Sequence, residues 1–136
     1  MSRFRTIAAW GGAIFLAVAF VYVGVAKLTG ASATRWAGLF AHWGYPASAR
    51  YVVGVFETLA GVGVLIPPWR RAASLMLCAI MTGALCTHVV NAEFPRMIPP
   101  LVLGGLAFLM YWSYGRPTRR TGPVSTELSA QAGRPK

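Results

Sequence analysis

An acidic residue inside an apolar stretch is the strongest chemical signal in this sequence. Glu57 lies about six residues, or roughly 9 Å of helix rise, inside the stretch from residue 50 to 66. An ionised carboxylate on a membrane-spanning helix costs on the order of 3 kcal/mol or more unless it is paired. We therefore expect Glu57 to face protein and to contact a cation.

The expected cation is Lys27, at the end of the preceding apolar stretch. Consecutive antiparallel helices would place it beside Glu57, and a third helix would bring His88 and Asn91 to the same depth. The ion pair has two interpretations: a structural pair that fixes helix register, or a functional pair that relays protons or anchors a ligand. His88 also has two, a hydrogen bond to a neighbour or a contact with a ligand, a quinone or a metal.

The sequence predicts neither a catalytic residue nor a metal site. No nucleophile has a base at a spacing that would activate it, and a lone histidine with one carboxylate is a poor set of metal ligands. Cys78 and Cys86 would stand about 12 Å of helix rise apart, which is beyond the reach of a disulfide. We interpret both as small apolar packing residues.

Four apolar stretches are the elements that would position these residues. Of the 136 residues, 56% are hydrophobic and 12% are charged, whereas a typical soluble domain has about 25% charged residues. Crossing a hydrocarbon core takes roughly 20 residues of helix. We predict an all-α transmembrane four-helix bundle over residues 1–115, with spans at about 7–28, 50–66, 72–92 and 97–114.

Glycines mark the helix faces that would pack closely. Gly54 and Gly61 stand three residues before and four residues after Glu57, so they share its face of a helix. Small residues on such a stripe let a second helix approach in a membrane. We assign these two glycines and Gly24, near the end of the first span, to helix packing.

The net charge of +10 is best explained by membrane topology. The cations lie at span ends and in the tail, not on one face with base-stacking aromatics, so no nucleic-acid partner is expected. With four spans, nine cations share the side of the two termini and four lie on the other side, which predicts cytoplasmic termini. The predicted location is the bacterial cytoplasmic (inner) membrane, and residues 116–136 are predicted to be a disordered basic cytoplasmic tail.

The segment between the first two spans has its own helical pattern. Trp36, Phe40 and Trp43 recur at helical spacing and predict a short amphipathic helix over about residues 33–43. Ser32 is the expected cap at its start, and Gly44 is expected to end it. It is too short to span, so we expect it to lie at the outer interface or to cover the bundle as a lid.

Three motifs in order resemble one known family. The segment G-V-A-K-L at 24–28 is similar to a G-x-x-K-L signature, G-Y-P at 44–46 follows an aromatic residue, and G-V-F-E at 54–57 opens a glycine-rich second span. Together they resemble the DoxX-like family of membrane proteins, over roughly residues 15–92. The resemblance implies a four-helix membrane bundle, and Lys27, Glu57 and Gly61 match its motif positions, with His88 matching less closely.

The resemblance also directs the functional hypotheses. The family is named after a subunit of a quinone-reducing thiosulfate oxidoreductase, so a quinone is the one cofactor that it suggests. Our first hypothesis is a non-catalytic accessory or assembly subunit of a quinone-linked redox system, with the bilayer and a larger membrane protein or a second copy as partners. The alternative is a protein that binds a quinone or another small amphiphile under the outer helix. A proton or solute conduit is the third.

Overall fold

Helices make up almost all of the described chain. The computed structural model describes residues 3–114, apart from the side chain of Arg5, and that range contains no strand. Its helices are α1 (Arg3–Leu28), α2 (Ala31–His42), α3 (Ala49–Gly63), α4 (Arg70–Val90) and α5 (Ile98–Tyr114), with a 3-10 turn at Phe94–Met97 before α5. The tail predicted at 116–136 lies outside the described residues.

Three segments are long and apolar enough to cross a membrane: Thr6–Leu28, Arg70–Val90 and Phe94–Tyr114. The predicted second span is shorter than expected. Its helix α3 has 15 residues and rises about 22 Å, against a hydrocarbon thickness of about 30 Å. Tight turns end it, because Leu65 N–H donates to the Val62 carbonyl and Ile66 N–H to that of Gly63, and two prolines follow at 67 and 68.

Helices α1, α3, α4 and α5 pack in that cyclic order. The most extensive contacts join α1 to α3 and α4 to α5. Apolar side chains fill the centre, and each helix also exposes large apolar residues on its outer face, as expected for a chain solvated by lipid. The central cluster consists of Ala13, Leu16, Ala17, Phe20, Ala60, Val64, Ala73, Leu77, Met81, Ala107 and Met110.

Helices α1 and α3 approach each other through glycines. A Cβ atom built on Gly24 would lie 2.7 Å from the Gly54 carbonyl oxygen and would overlap Thr58 Oγ1. A Cβ atom on Gly61 would lie 3.2 Å from the backbone nitrogen of Val21. The two backbones are therefore in near-direct contact over two turns, running in opposite directions, in the arrangement that small residues permit in membrane helices.

Helix α2 differs in its boundaries from the predicted outer helix. It begins at Ala31, after Gly30 with a φ of 77°, and the expected cap Ser32 lies inside its first turn. At its end, Tyr45 N–H donates to the Phe40 carbonyl and Gly44 N–H to the Ala41 carbonyl. This is the Schellman pattern, which needs a positive φ after the C-cap residue, and Gly44 supplies it at 78°.

Candidate functional site

Polar side chains gather at the two ends of the helix assembly. The Lys27 end contains the C-terminus of α1, helix α2 and the turn between α4 and α5. The Arg70 end contains the N-terminus of α4 and the C-termini of α3 and α5. The predicted site residues all lie at the Lys27 end.

The centre of the Lys27 end is a buried ion pair. Nζ of Lys27 lies 2.5 Å from Oε2 of Glu57, and the two residues are only 5% and 2% exposed. Lys27 follows Gly24 by three residues on α1, and Glu57 follows Gly54 by three residues on the antiparallel α3. The pair therefore joins the two helices beside the glycine contact, and the close approach of the glycines brings the two charges together. Two opposite charges at this distance neutralise each other, which removes most of the cost of placing them among apolar helices.

Two further groups enclose the pair. The ammonium of Lys27 lies 4.4 Å from the ring centroid of Trp36 in α2, within the range of a cation–π contact. Nη1 of Arg50 donates to the Lys27 carbonyl at 2.5 Å, and so satisfies an acceptor at the C-terminus of α1 that has no partner within the helix. Helix α2 therefore covers the pair through an aromatic ring, and Arg50 fixes the end of α1 above it.

The expected single polar layer is divided into two groups. Nδ1 of His88 lies 2.9 Å from Oε2 of Glu93, and Nε1 of Trp43 donates to the same oxygen at 3.0 Å. On the other side of the carboxylate, Arg96 donates to Oε1 at 2.6 Å. Within residues 3–114, no hydrogen bond joins His88 to Glu57. Glu93, which lies in the turn after α4, is therefore the acid that His88 contacts.

The turn after α4 explains this pairing. Glu93 N–H donates to the His88 carbonyl at 2.9 Å and Ala92 N–H to that of Val89 at 3.1 Å, another Schellman pattern. Ala92 has a φ of 54°, which costs an L-residue on the order of 1–2 kcal/mol relative to its ordinary conformations. The turn folds the chain back and sets the Glu93 carboxylate against the ring of His88, at the end of α4.

The remaining predicted residues support this end without joining the ion pair. Nδ2 of Asn91 donates to the Thr87 carbonyl at 2.8 Å, so it closes the C-terminus of its own helix. The hydroxyl groups of Tyr45 and Thr87 are 2.7 Å apart and tie the loop after α2 to α4. Phe40 is buried under α2, and its ring centroid lies 5.5 Å from that of Trp43.

The environment of Glu93 predicts a pH dependence. Partial burial raises the pKa of its carboxyl, but hydrogen bonds from His88 and Trp43 and the charge of Arg96 outweigh burial and hold the pKa below its ordinary value of 4.5. A group whose pKa is lowered by folding stabilises the folded chain above its unfolded pKa, and this contribution disappears as the pH falls through the folded pKa.

Below about pH 4.5, we therefore expect the melting temperature of the wild-type chain in detergent to decrease more steeply than that of Glu93→Gln. The glutamine cannot titrate at this position. Melting curves of both proteins between pH 7 and pH 3 test this, because any other titrating acid contributes equally to both. Parallel curves over the whole range would contradict it.

Arg70 is a buried residue that sequence reasoning assigned only to topology. It is 2% exposed, and it donates from Nε to the Val64 carbonyl at 2.6 Å and from Nη1 to the Tyr114 hydroxyl at 2.5 Å. Its guanidinium carbon lies 4.4 Å from the ring centroid of Trp10. It supplies a donor to the non-helical backbone after α3, where water would otherwise be needed.

The signal that could have identified Arg70 is the combination of a short second span, two prolines and aromatic residues near the ends of the first and last spans. Arg70 lies seven residues past the end of α3 and reaches back to the Val64 and Leu65 carbonyls that follow it. The neighbouring Arg71, in contrast, is exposed and donates to the Tyr111 hydroxyl at 3.2 Å. Of the two arginines that begin α4, only Arg70 is therefore buried in the interior.

Two open apolar grooves, of about 580 and 250 Å³, lie between α3 and α4. Both are lined by Phe56, Ala72 and Met76 and by neither Lys27, Glu57 nor His88. Among the described residues, no group of three or more His, Cys, Asp or Glu side chains could hold a metal ion. The two cysteines are free thiols on α4.

Comparison with known proteins identifies one family. The model of the DoxX-like family matches residues 12–110, which include the buried ion pair, the three glycines of the α1–α3 contact and most of α5. Comparisons with curated proteins and with solved structures gave no match.

Proposed function

The chain belongs to the DoxX-like family, and from this premise we propose that it is a four-span membrane protein that acts as a non-catalytic accessory or assembly subunit of a quinone-linked redox system. The observation that carries the proposal is the buried contact of 2.5 Å between Lys27 and Glu57. Each charge is paired with the other across α1 and α3, as expected for an ion pair whose role is to join two helices.

The proposal of four spans rests on the exposed face of α3. Val55, Phe56, Leu59 and Val62 are each at least 43% exposed, which suits lipid and not water. The turn beyond Gly63 adds length to the crossing, and Arg70 satisfies its carbonyls. An even number of crossings puts both termini on one side. With the cations of the Arg70 end, the positive-inside rule makes that side the cytoplasm, and we propose the bacterial inner membrane as the location.

The accessory role is supported by the construction of the Lys27 end. Below helix α2, hydrogen bonds join α1 to α3 and join α4 to the turn that follows it. Such a cross-linked surface is suited to binding a partner, because little conformational entropy remains to be lost on association. The redox assignment itself comes from the subunit of a quinone-reducing oxidoreductase after which the family is named.

The test is purification of a tagged chain from native membranes in mild detergent. We expect a larger membrane protein to co-purify in stoichiometric amount, with an absorbance spectrum that shows a redox cofactor. Mass spectrometry of the preparation identifies the partner. Recovery of the chain only as a free monomer, or with a partner that carries no redox cofactor and no quinone, would overturn the proposal.

A second candidate is favoured by the aromatic cover over the polar atoms. An aromatic layer formed by Trp36, Phe40 and Trp43 covers this end of the protein. Under it, Glu57 and His88 would bind the polar group of a quinone or of another small amphiphile. The same preparation separates the two functions. If the chain is a ligand binder, quinone is extracted with the wild type and is lost from Glu57→Gln. If the chain is a subunit, Glu57→Gln keeps the partner.

A proton or solute conduit is the least supported function. The layer between Glu57 and Arg70 is filled by the central apolar cluster. Ser74 Oγ, the one buried side-chain polar atom without a partner among the described residues, stands alone in that layer. Flux through proteoliposomes that exceeds the flux through empty vesicles would be needed to support a conduit.

A further inference from the structure

Helix α2 is attached to the rest of the protein at few points. Phe40 is its only buried residue, and in the packing of helices it contacts α1 and α3 but not α4 or α5. Its first half is held by the contact of Trp36 with Lys27. Its C-terminal end is held by the hydrogen bond from Trp43 to Glu93 at 3.0 Å.

Both ends of α2 have the properties of hinges. Gly30 and Gly44 adopt positive φ angles of 77° and 78°, and a Cβ atom at either position would meet nothing within 4 Å. Residues that end an element and stand in open space can absorb the backbone rotations of a hinge. Beyond the second hinge, the hydrogen bond between Tyr45 and Thr87 fixes the loop, so α2 can move without displacing α3.

Glu93 connects helix α2, which moves, to α4 and the 3-10 turn, which remain fixed. Its Oε2 accepts from Trp43 and contacts His88, and its Oε1 accepts from Arg96. The carboxylate therefore remains fixed by α4 and by the 3-10 turn when Trp43 leaves. The turn hydrogen bonds from Glu93 N–H to the His88 carbonyl and from Ala92 N–H to the Val89 carbonyl hold it in this position. A hydrogen bond to a charged acceptor is strong enough to keep α2 in place and weak enough to break reversibly.

From this geometry we infer that α2 is a lid over the Lys27–Glu57 pair, that Glu93 is the latch that keeps it closed through Trp43, and that release of the latch exposes the Lys27 amine to water. Below the closed lid, Lys27 is 5% exposed. The open state would present a charged pair at the surface facing away from the Arg70 end, where a polar ligand or a partner segment could reach it.

The reactivity of the Lys27 amine gives a direct test. The chain has only two lysines, Lys27 and Lys136, so labelling by a water-soluble amine reagent can be followed at each site by mass spectrometry, with Lys136 as the internal reference. Trp43→Phe keeps an aromatic ring against Phe40 and His88 but removes the Nε1 donor. We expect Lys27 to be labelled about tenfold faster in Trp43→Phe, the factor that corresponds to losing one hydrogen bond to a charged group.

Arg96→Gln is the matched control, because Arg96 binds Oε1 and leaves the bond between Trp43 and Oε2 in place. Its Lys27 labelling should stay within about twofold of the wild type. Hydrogen exchange of α4 and α5 in each variant shows whether the chain is folded, and exchange of residues 31–42 should rise in Trp43→Phe alone. Equal labelling of Lys27 in the wild type and Trp43→Phe, or an equal increase in Arg96→Gln, would overturn the latch.

Discussion

Lys27→Met is expected to lower the free energy of unfolding by about 3–5 kcal/mol, the cost of leaving one partner of a buried ion pair without its counter-charge. Methionine has nearly the length of lysine, so packing against Trp36 is retained and the loss reports the charge. Glu57 would remain 2% exposed with no cation within hydrogen-bonding distance. The quantity to measure is the free energy of unfolding in mixed micelles, by titration with dodecyl sulfate.

The double variant Lys27→Met with Glu57→Leu is the decisive control. Replacing both partners of a buried pair by apolar side chains of similar volume is often neutral or stabilising. We expect the double variant to recover most of the lost stability. If it also keeps the proposed redox partner, the pair is structural. If it folds but loses the partner or a bound quinone, the pair acts on a ligand. A single variant as stable as the wild type would show that the pair contributes nothing.

Gly24→Ala should lower the free energy of unfolding by about 1–3 kcal/mol, the range observed when a close-packed core is overpacked. The new methyl group would lie 2.7 Å from the Gly54 carbonyl oxygen and 2.9 Å from the Thr58 nitrogen, and backbone atoms cannot rotate away. The helices must separate, and because Lys27 is one turn further along α1, its amine would move away from Glu57. Thermal melting in detergent measures the loss.

A graded series makes this prediction specific. Gly61→Ala places its methyl 3.2 Å from its nearest neighbours, so it should cost less than Gly24→Ala. Gly11 lies on the same helix with nothing within 4 Å of a Cβ atom, so Gly11→Ala should cost nothing. If all three substitutions lower the melting temperature equally, the effect belongs to glycine replacement in general and not to the contact between α1 and α3.

Apolar patterning was sufficient to predict the long helices and the helix of the outer segment. A long run without charges predicts a helix with few further assumptions. Backbone buried in lipid must satisfy its own hydrogen bonds, and only helices and closed barrels do so. The limits of α3 were harder to predict. The pattern continues apolar to residue 66, whereas the helix ends at Gly63. Turn hydrogen bonds before two prolines end it earlier than hydropathy indicates, because hydropathy does not report backbone conformation.

The polar contacts depended on features that spacing does not show. The partnership of His88 with Glu93 requires a positive φ at Ala92, an angle that alanine rarely adopts and that sequence reasoning would not assign. The start of α2 was predicted from the residue type of Ser32, but Gly30 precedes the helix. The role of Arg70 required knowledge of where its long side chain turns, toward the Val64 carbonyl and not away from the protein. In each case a local conformation decided the contact.

The short α3 has a consequence for how the protein is made. A segment of 15 residues that carries a carboxylate is a poor substrate for release from the translocon into lipid by itself, because charged residues oppose insertion most strongly. Its acid is neutralised only by an amine that emerges earlier, on α1. We therefore expect the ribosome to deliver these two helices to the bilayer as one hairpin, with the order of synthesis placing the base in the channel before the acid arrives.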